Sequence, residues 1–382
     1  MVRRAQALVR LGELREDTGA LREARSALEA VSGAPASDPA LRPALGRVLL
    51  ALLPRTPDPA ERTALAGEAA EHLAAGLAAA QAAAQAAAAP DGPSGAAAAR
   101  LRVELATALR YLPGRLEEAA VQLGLALTEA AAGEAELRLA ALVCLARVHR
   151  ARSARDADPA ALEDAAEAYG RARRLIPRDA DAYGELLPEW GDVLLDRARA
   201  ADGRRFTSAA VRVLRDSRAA VPQSDPRSAQ RLVRLAEGLR LRHAYEGDVV
   251  DLREAEYLLE LAVRQSRSPL EQARAWREHG DVQQEIHAHT RAPDRLDRAA
   301  DSYRRAWRCA LAADREDRRD VAVELGARVQ ELRGEVLERL ARPRAALDAY
   351  RSALELWTRL GDAAAGRREA LGSRVRTLEA GL

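Results

Sequence analysis

The stretch Arg333-Gly-Glu-Val-Leu-Glu-Arg-Leu-Ala-Arg-Pro-Arg-Ala-Ala-Leu-Asp-Ala-Tyr-Arg-Ser-Ala353 decides the fold. Ala346, Tyr350 and Ala353 stand at offsets of four and seven, which puts them on one face of a helix. The small residues let a second helix approach closely, and the ring fills the gap beside it. The same pattern is written seven more times: Ala24/Leu28/Val31, Ala69/Leu73/Gly76, Ala119/Leu123/Ala126, Ala165/Tyr169/Ala172, Ala210/Leu214/Ser217, Ala255/Leu259/Ala262 and Ala299/Tyr303/Ala306. Successive anchor alanines lie 45, 50, 46, 45, 45, 44 and 47 residues apart. A near-constant period of this size is the signature of a stacked array. Apolar residues recur at i, i+3, i+4 and i+7 almost throughout, and no segment alternates β-branched with polar residues. The chain reads as all-α.

The helix before each anchor carries a second mark. Trp276-Arg-Glu-His-Gly280 sets a Trp and a Gly at fixed places, and Gly12, Gly191 and Gly334 hold the glycine position in repeats 1, 5 and 8. Thr107, Ala146 and Ala236 are small substitutes in repeats 3, 4 and 6, while the first helix of repeat 2 is degenerate. Together these features resemble the tetratricopeptide repeat (TPR), which has Ala, aromatic, Ala on its second helix and Trp, two residues, Leu, Gly on its first. His279 stands at the Leu place. The resemblance covers about residues 5 to 382. It implies a right-handed superhelical solenoid of about eight helix-turn-helix repeats over residues 1–382, closed by a capping helix at 362–382. It also implies a non-catalytic scaffold that binds a peptide or protein segment in a concave groove.

One departure from the short TPR is systematic. The glycine position precedes the anchor by 12 residues in repeats 1, 3 and 8, but by 19 in repeats 4, 5, 6 and 7. Seven residues are about two helical turns, or roughly 10 Å of helix. The first helix, or the start of the second, is therefore expected to be longer in the middle repeats and to widen one wall. The segment Leu235 to Ala255 is similar to the extended TPR of actinobacterial signalling and defence proteins. That likeness implies a regulatory or sensor arm working with an effector domain in cis or in trans. The first helix begins within about five residues of Met1, so it is either its own cap or the chain continues a longer one.

Composition bounds the function. The 382 residues include 12 aromatics and two isoleucines, and neither Lys nor Asn occurs, so all 60 basic residues are Arg. This bias points to a high-GC, actinobacterial genome. With 58 acids the net charge is +2, which argues against a protein whose main work is neutralising nucleic-acid phosphate. An RNA-binding helical repeat is the alternative, drawn from ten Arg against four acids in residues 201–244. Few aromatics are available for base stacking. Cys144 and Cys309 form no disulfide framework and no metal spacing, and a reducing cytoplasm fits. Neither a secretory leader nor a run of about 18 strongly apolar residues is found.

No catalytic or cofactor motif stands out. A phosphate-binding GxxxxGK[ST] loop needs the absent Lys. On one helix His287 and His289 lie about 200° apart and His279 about 80° from His287, so the three do not converge on a metal. Cys144 falls on an apolar helix face, as a packed thiol does. Carboxylate pairs such as Glu117-Glu118 and Glu163-Asp164 read as surface charge. No metal, cofactor or membrane partner is expected, and an all-helical enzyme is the least supported alternative.

Helix starts are marked by a capping side chain followed by Pro at Asp38-Pro39, Asp58-Pro59, Asp158-Pro159, Asp225-Pro226 and Ser268-Pro269. Glu61 and Glu271 complete capping boxes. Residues 89–95, a Pro and Gly cluster, are expected to form a mobile loop.

In the TPR family the first helices line the groove, and their positions 2, 5, 9 and 12 contact the ligand. Carried onto this sequence, these are Ala140, Val143, Arg147 and Arg150 in repeat 4, and Glu185, Pro188, Asp192 and Leu195 in repeat 5. Repeat 6 gives Gln230, Val233, Glu237 and Arg240, and repeat 7 gives Arg274, Arg277, Asp281 and Gln284. Repeat 8 gives Arg328, Glu331, Glu335 and Glu338. The resemblance thus implies a guanidinium-bearing groove, centred on Arg147, Arg150, Arg240, Arg274 and Arg277, next to an acidic last repeat marked by Glu335. Such a groove suits a protein or peptide with an acidic segment.

Overall fold

The computed structural model describes residues 17–32, 41–86, 94–131, 133–177, 181–200, 203–313 and 319–382. They form sixteen α-helices, with no strand among the described residues. These are α1 (Thr18–Ser32), α2 (Leu41–Leu52), α3 (Pro59–Ala86), α4 (Ser94–Leu109), α5 (Leu116–Glu129), α6 (Ala135–Asp156), α7 (Pro159–Arg173) and α8 (Asp181–Ala198). They continue as α9 (Arg204–Ala219), α10 (Ser228–Glu246), α11 (Val249–Gln265), α12 (Pro269–Thr290), α13 (Asp294–Ala313), α14 (Arg319–Arg339), α15 (Pro343–Arg359) and α16 (Ala365–Ala380). The protein is an all-α solenoid of helical repeats.

The repeated pattern is the core. All eight anchor alanines and all eight large partners are at most 1% exposed. Ala126, Ala172, Ser217, Ala262, Ala306 and Ala353, the small residues three positions on, are equally enclosed. The glycine position is explained by what it faces. A Cβ on Gly280 would come within 2.5 Å of the Tyr303 ring, and one on Gly191 within 2.5 Å of Leu214. Gly334 faces Tyr350 in the same way. Repeats 5, 7 and 8 thus close by pressing the large residue of the second helix onto backbone of the first.

Repeat 2 obeys the rule after all. Gly46 in α2 lies against Leu73, where a Cβ would meet the side chain at 2.6 Å. Sequence spacing hides it, because 23 residues separate Gly46 from Ala69. Gly12 and the remainder of the first helix of repeat 1 lie outside the described residues.

The chain divides into two compact units, Met1–Leu186 and Leu187–Leu382. In the first, Leu28, Leu49, Leu73, Leu109 and Leu123 join one apolar cluster built mostly of aliphatic residues. In the second, Tyr303, Tyr350 and Trp357 anchor a cluster that extends to Leu371 and Val375 of α16, with Leu378 packed on it. This is the expected capping helix.

Within each unit a helix packs on its sequence neighbours, and first helices also touch successive first helices: α2 with α4 and α4 with α6, then α10 with α12 and α12 with α14. No comparable contact joins successive second helices among the described residues. The layer of first helices is therefore the tighter one, and it carries the inner face.

The extra seven residues are not placed on one wall. In repeat 4 the first helix runs ten residues beyond Ala146 and the second begins six before Ala165; in repeat 8 these lengths are five beyond Gly334 and three before Ala346. Repeat 6 matches repeat 4, with α10 ending ten residues past Ala236 and α11 starting six before Ala255. Both arms of the hairpin grow, so its tip rises instead of one side widening.

Of the four expected capped starts among the described residues, three are capped and one is not. Ala60 and Glu61 donate backbone N–H to Asp58 at 3.1 and 3.3 Å, and Ala160 donates to Asp158 at 2.9 Å. Ser268 accepts from Glu271 N–H at 3.2 Å, while Glu271 reaches back to Arg267 N–H at 3.1 Å. Asp225 does not cap α10. Its carboxylate takes Arg227 N–H at 2.7 Å, forming a turn that ends just before the helix starts at Ser228. Asp38-Pro39 lies outside the described residues, as do residues 89–93 of the Pro and Gly cluster; Ser94 and Gly95 open α4.

Candidate functional site

The inner face of α10, α12 and α14 holds two adjoining cavities of about 460 and 450 Å³, which share Gln230, Val233 and Arg274. Helical periodicity puts Gln230, Val233 and Glu237 along one line of α10, and Arg274 and Arg277 along the facing line of α12. Val321, Leu325 and Arg328 of α14 close the far wall. Val321 is 45% exposed, an apolar side chain left facing water in the groove.

The groove arginines differ in what they already hold. Arg234 meets Asp192 at 3.3 Å and Glu237 at 2.9 Å, Arg328 meets Glu324 at 2.8 Å, and Arg277 pairs with its neighbour Glu278. Arg274 is exposed and makes no ion pair among the described residues. It is the groove cation whose charge the fold leaves uncommitted.

Arg240 is not such a cation, which revises the sequence expectation. It crosses from α10 to α12 and pairs with Glu278, with Glu285 at 2.6 Å and with Asp281 at 3.5 Å. Its side chain is 19% exposed, and these carboxylates hold its guanidinium above the ordinary range against the opposing effect of burial. Asp281 and Gln284 are likewise drawn inward: Tyr303 donates its hydroxyl to Asp281 at 2.5 Å and accepts from Gln284 at 2.8 Å. Gln284 also accepts from Arg339 at 2.7 Å. These residues lock repeats 6, 7 and 8 together. In the first unit, Arg147 and Arg150 lie half-buried on α6, each with interactions inside the protein. Glu335 is exposed on α14.

The histidines do not converge. His287 contacts the Ala292 carbonyl oxygen at 2.8 Å, and His289 stacks edge-on against His243. His279 is buried beside Trp276, with ring centroids 5.5 Å apart. Ser302 donates its hydroxyl to the Arg298 carbonyl at 2.7 Å, so it accepts from His279 Nδ1–H at 2.8 Å. His279 Nε2 then accepts from the Gln283 amide at 3.3 Å. This assignment leaves the ring neutral, and burial pushes its pKa down to about 4. Glu256 and Glu260 approach the same ring, but Glu256 is already taken by Arg295 at 2.8 Å and by Gln283 at 2.8 Å. Cys144 is a buried thiol whose pKa burial raises, away from the reactive thiolate form.

The Arg-rich stretch 201–244 is largely committed as well. Arg215 pairs with Glu254, Arg227 with Asp225 and Arg242 with Asp251, while Arg231 donates to the Ser217 carbonyl. Sequence charge counts alone could not reveal these partners, because half of them come from neighbouring repeats. No helix among the described residues is long and apolar enough to cross a membrane.

No family model and no curated protein matches the chain. Among solved structures it is similar to a signal transduction ATPase with numerous domains from Pyrococcus horikoshii that carries a tetratricopeptide repeat sensor. The two are 11% identical, the match covers 94% of this chain and 52% of that one, and the TM-score is 0.40. A circular tandem repeat protein is 16% identical over 99% of this chain and 96% of its own, with a TM-score of 0.28. The chain spans about half the length of the ATPase.

Proposed function

We propose that the protein is a non-catalytic scaffold of the extended TPR type, which holds a protein segment on the inner face of α10, α12 and α14. One observation carries this reading: Arg274 faces an open groove with no ion partner among the described residues, beside the exposed apolar Val321 and the half-buried Val233. A segment that brings an acidic side chain to Arg274 and an apolar one to Val321 complements both. The internal pairing of Arg215, Arg227, Arg231, Arg240 and Arg242 favours a protein over an RNA ligand, since it leaves few guanidinium groups for phosphates. The sequence likeness to actinobacterial signalling and defence proteins supports a cytoplasmic regulatory arm that acts on an effector in cis or in trans.

The test compares proteins retained from an extract of the source cells by the wild type and by the double variant Arg274→Glu, Val321→Asp. A set of proteins held only by the wild type supports this face as the binding site. Identical sets overturn it.

A further inference from the structure

The seam between repeats 6 and 7 departs from the one before it. Between repeats 5 and 6 the equivalent places hold Val211, Arg215, Leu235, Leu239 and Leu258, and the four aliphatic side chains among them are at most 1% exposed. One repeat further on, 44 or 45 residues along the chain, the same places hold Glu256, Glu260, His279, Gln283 and Ser302. His279, Gln283 and Ser302 are buried as well. Aliphatic residues pack the preceding seam, so stacking does not require polar ones, and burying polar groups costs stability unless each is satisfied. His279 is also the residue that stands at the Leu place of the repeat pattern.

His279 Nε2 and one carboxylate oxygen from each of Glu256 and Glu260 lie within 4.8 Å of one another, with Nε2 4.0 Å from Glu260. The ring is oriented for this. Its Nδ1–H is given to Ser302, so the Nε2 lone pair faces the two carboxylates. Metal-binding histidines have their second ring nitrogen held in the same way. The bonds from Arg295 and Gln283 to Glu256 both end on Oε1, and its Oε2 accepts none among the described residues. Glu260 is exposed and pairs with no arginine among the described residues. Arg298 and Arg305 stand nearby, but each has an aspartate of its own, Asp294 at 3.6 Å and Asp301 at 2.9 Å. Three electron-pair donors thus converge, with only the Gln283 amide between two of them.

We infer that His279 Nε2, Glu256 and Glu260 bind one divalent transition-metal ion of the zinc class, with the fourth position left to water. One imidazole nitrogen beside two carboxylates suits such an ion better than Mg²⁺ or Ca²⁺, which take oxygen ligands. Ligand atoms on a tetrahedral zinc lie roughly 3.3 Å apart, so the donors close by about 1 Å, chiefly through movement of the exposed Glu260. Gln283 gives up its contact with Nε2 and keeps the one with Glu256. The ion ties the second helix of repeat 6 to the first helix of repeat 7. This site is separate from the Arg274 groove and does not depend on the scaffold reading.

The test titrates the full chain, first stripped of metal with a chelator, with Zn²⁺ against a chromophoric competitor. The Trp276 indole N–H signal, beside the His279 ring, is followed by NMR. One equivalent of Zn²⁺ is expected to bind and to shift that signal. His279→Leu, which places there the residue found at Leu235, should abolish both effects while the chain stays folded. Glu260→Gln should weaken binding at least about tenfold, and Ser302→Ala, which frees the ring to turn, about 10- to 100-fold. The double variant His243→Ala, His289→Ala removes a pair of rings 5.7 Å apart and should leave binding unchanged. Absence of saturable binding, binding that survives His279→Leu, or binding lost only in the His243 and His289 variant overturns the inference. Retention of partners by the Arg274 groove is read in a separate experiment, so either result can fail alone.

Discussion

Gly280 and Tyr303 touch so closely that no side chain fits between them: a Cβ on residue 280 would lie 2.5 Å from a ring carbon held in place by two hydrogen bonds at the hydroxyl. Gly280→Ala is therefore expected to destabilise the protein, by about 1 to 3 kcal/mol from overpacking, less up to about 1 kcal/mol recovered from helix propensity. Gly124→Ala in α5, where nothing lies within 4 Å, should stabilise by about 0.5 to 1 kcal/mol. Urea melts of the two variants should move in opposite directions.

Tyrosine hydroxyls at equivalent places should behave unequally. Tyr303→Phe strands Asp281 and Gln284 and should cost about 1 to 3 kcal/mol, whereas the Tyr350 hydroxyl meets only Glu338, which Arg374 also holds, so Tyr350→Phe should cost less. Tyr303→Ala, which deletes a core ring, should cost about 3 to 5 kcal/mol. Equal effects of the two Phe variants would contradict the described bonding.

Arg240 and Arg274 separate structure from binding. Arg240→Ala leaves Glu278, Asp281 and Glu285 facing one another across α12 and should cost about 3 kcal/mol. Arg274→Ala should cost less than about 0.5 kcal/mol. Chemical denaturation of the two single variants checks this directly.

The neutral state of His279 gives stability a definite pH dependence. The folded pKa of about 4 lies below the ordinary value of 6.5, so the unfolded chain binds the extra proton first. This contribution is complete above pH 6.5 and is lost as pH falls from 6.5 toward 4, by about 3 kcal/mol in all. His279→Leu should flatten that interval of the stability curve relative to the wild type, measured by urea titration between pH 7 and pH 4.

The helical class, the eight anchors and the cap were legible because each is local: an Ala, a large residue and a small one on a single helical face determine what that helix buries. The groove was legible only in part. Arg274 and Arg277 lie on it, but Arg240, Asp281 and Gln284 are bound up between repeats, and no single helix reveals a partner some 40 residues away. Gly46 escaped notice for a similar reason, since its partner Leu73 is recognised only when the two helices are folded back on each other.

The shared lengthening of both hairpin arms makes the cross-section of a repeat independent of its height. Residues added past the glycine contact extend the two helices side by side, about 1.5 Å per residue on each arm, while the ring or leucine pressed on the first helix stays where it was. Insertions that lengthen both arms together can therefore accumulate at the hairpin tips without disturbing the stacking beneath them. The hairpin tips are free to diversify in sequence, while the packing at the base of each hairpin is kept.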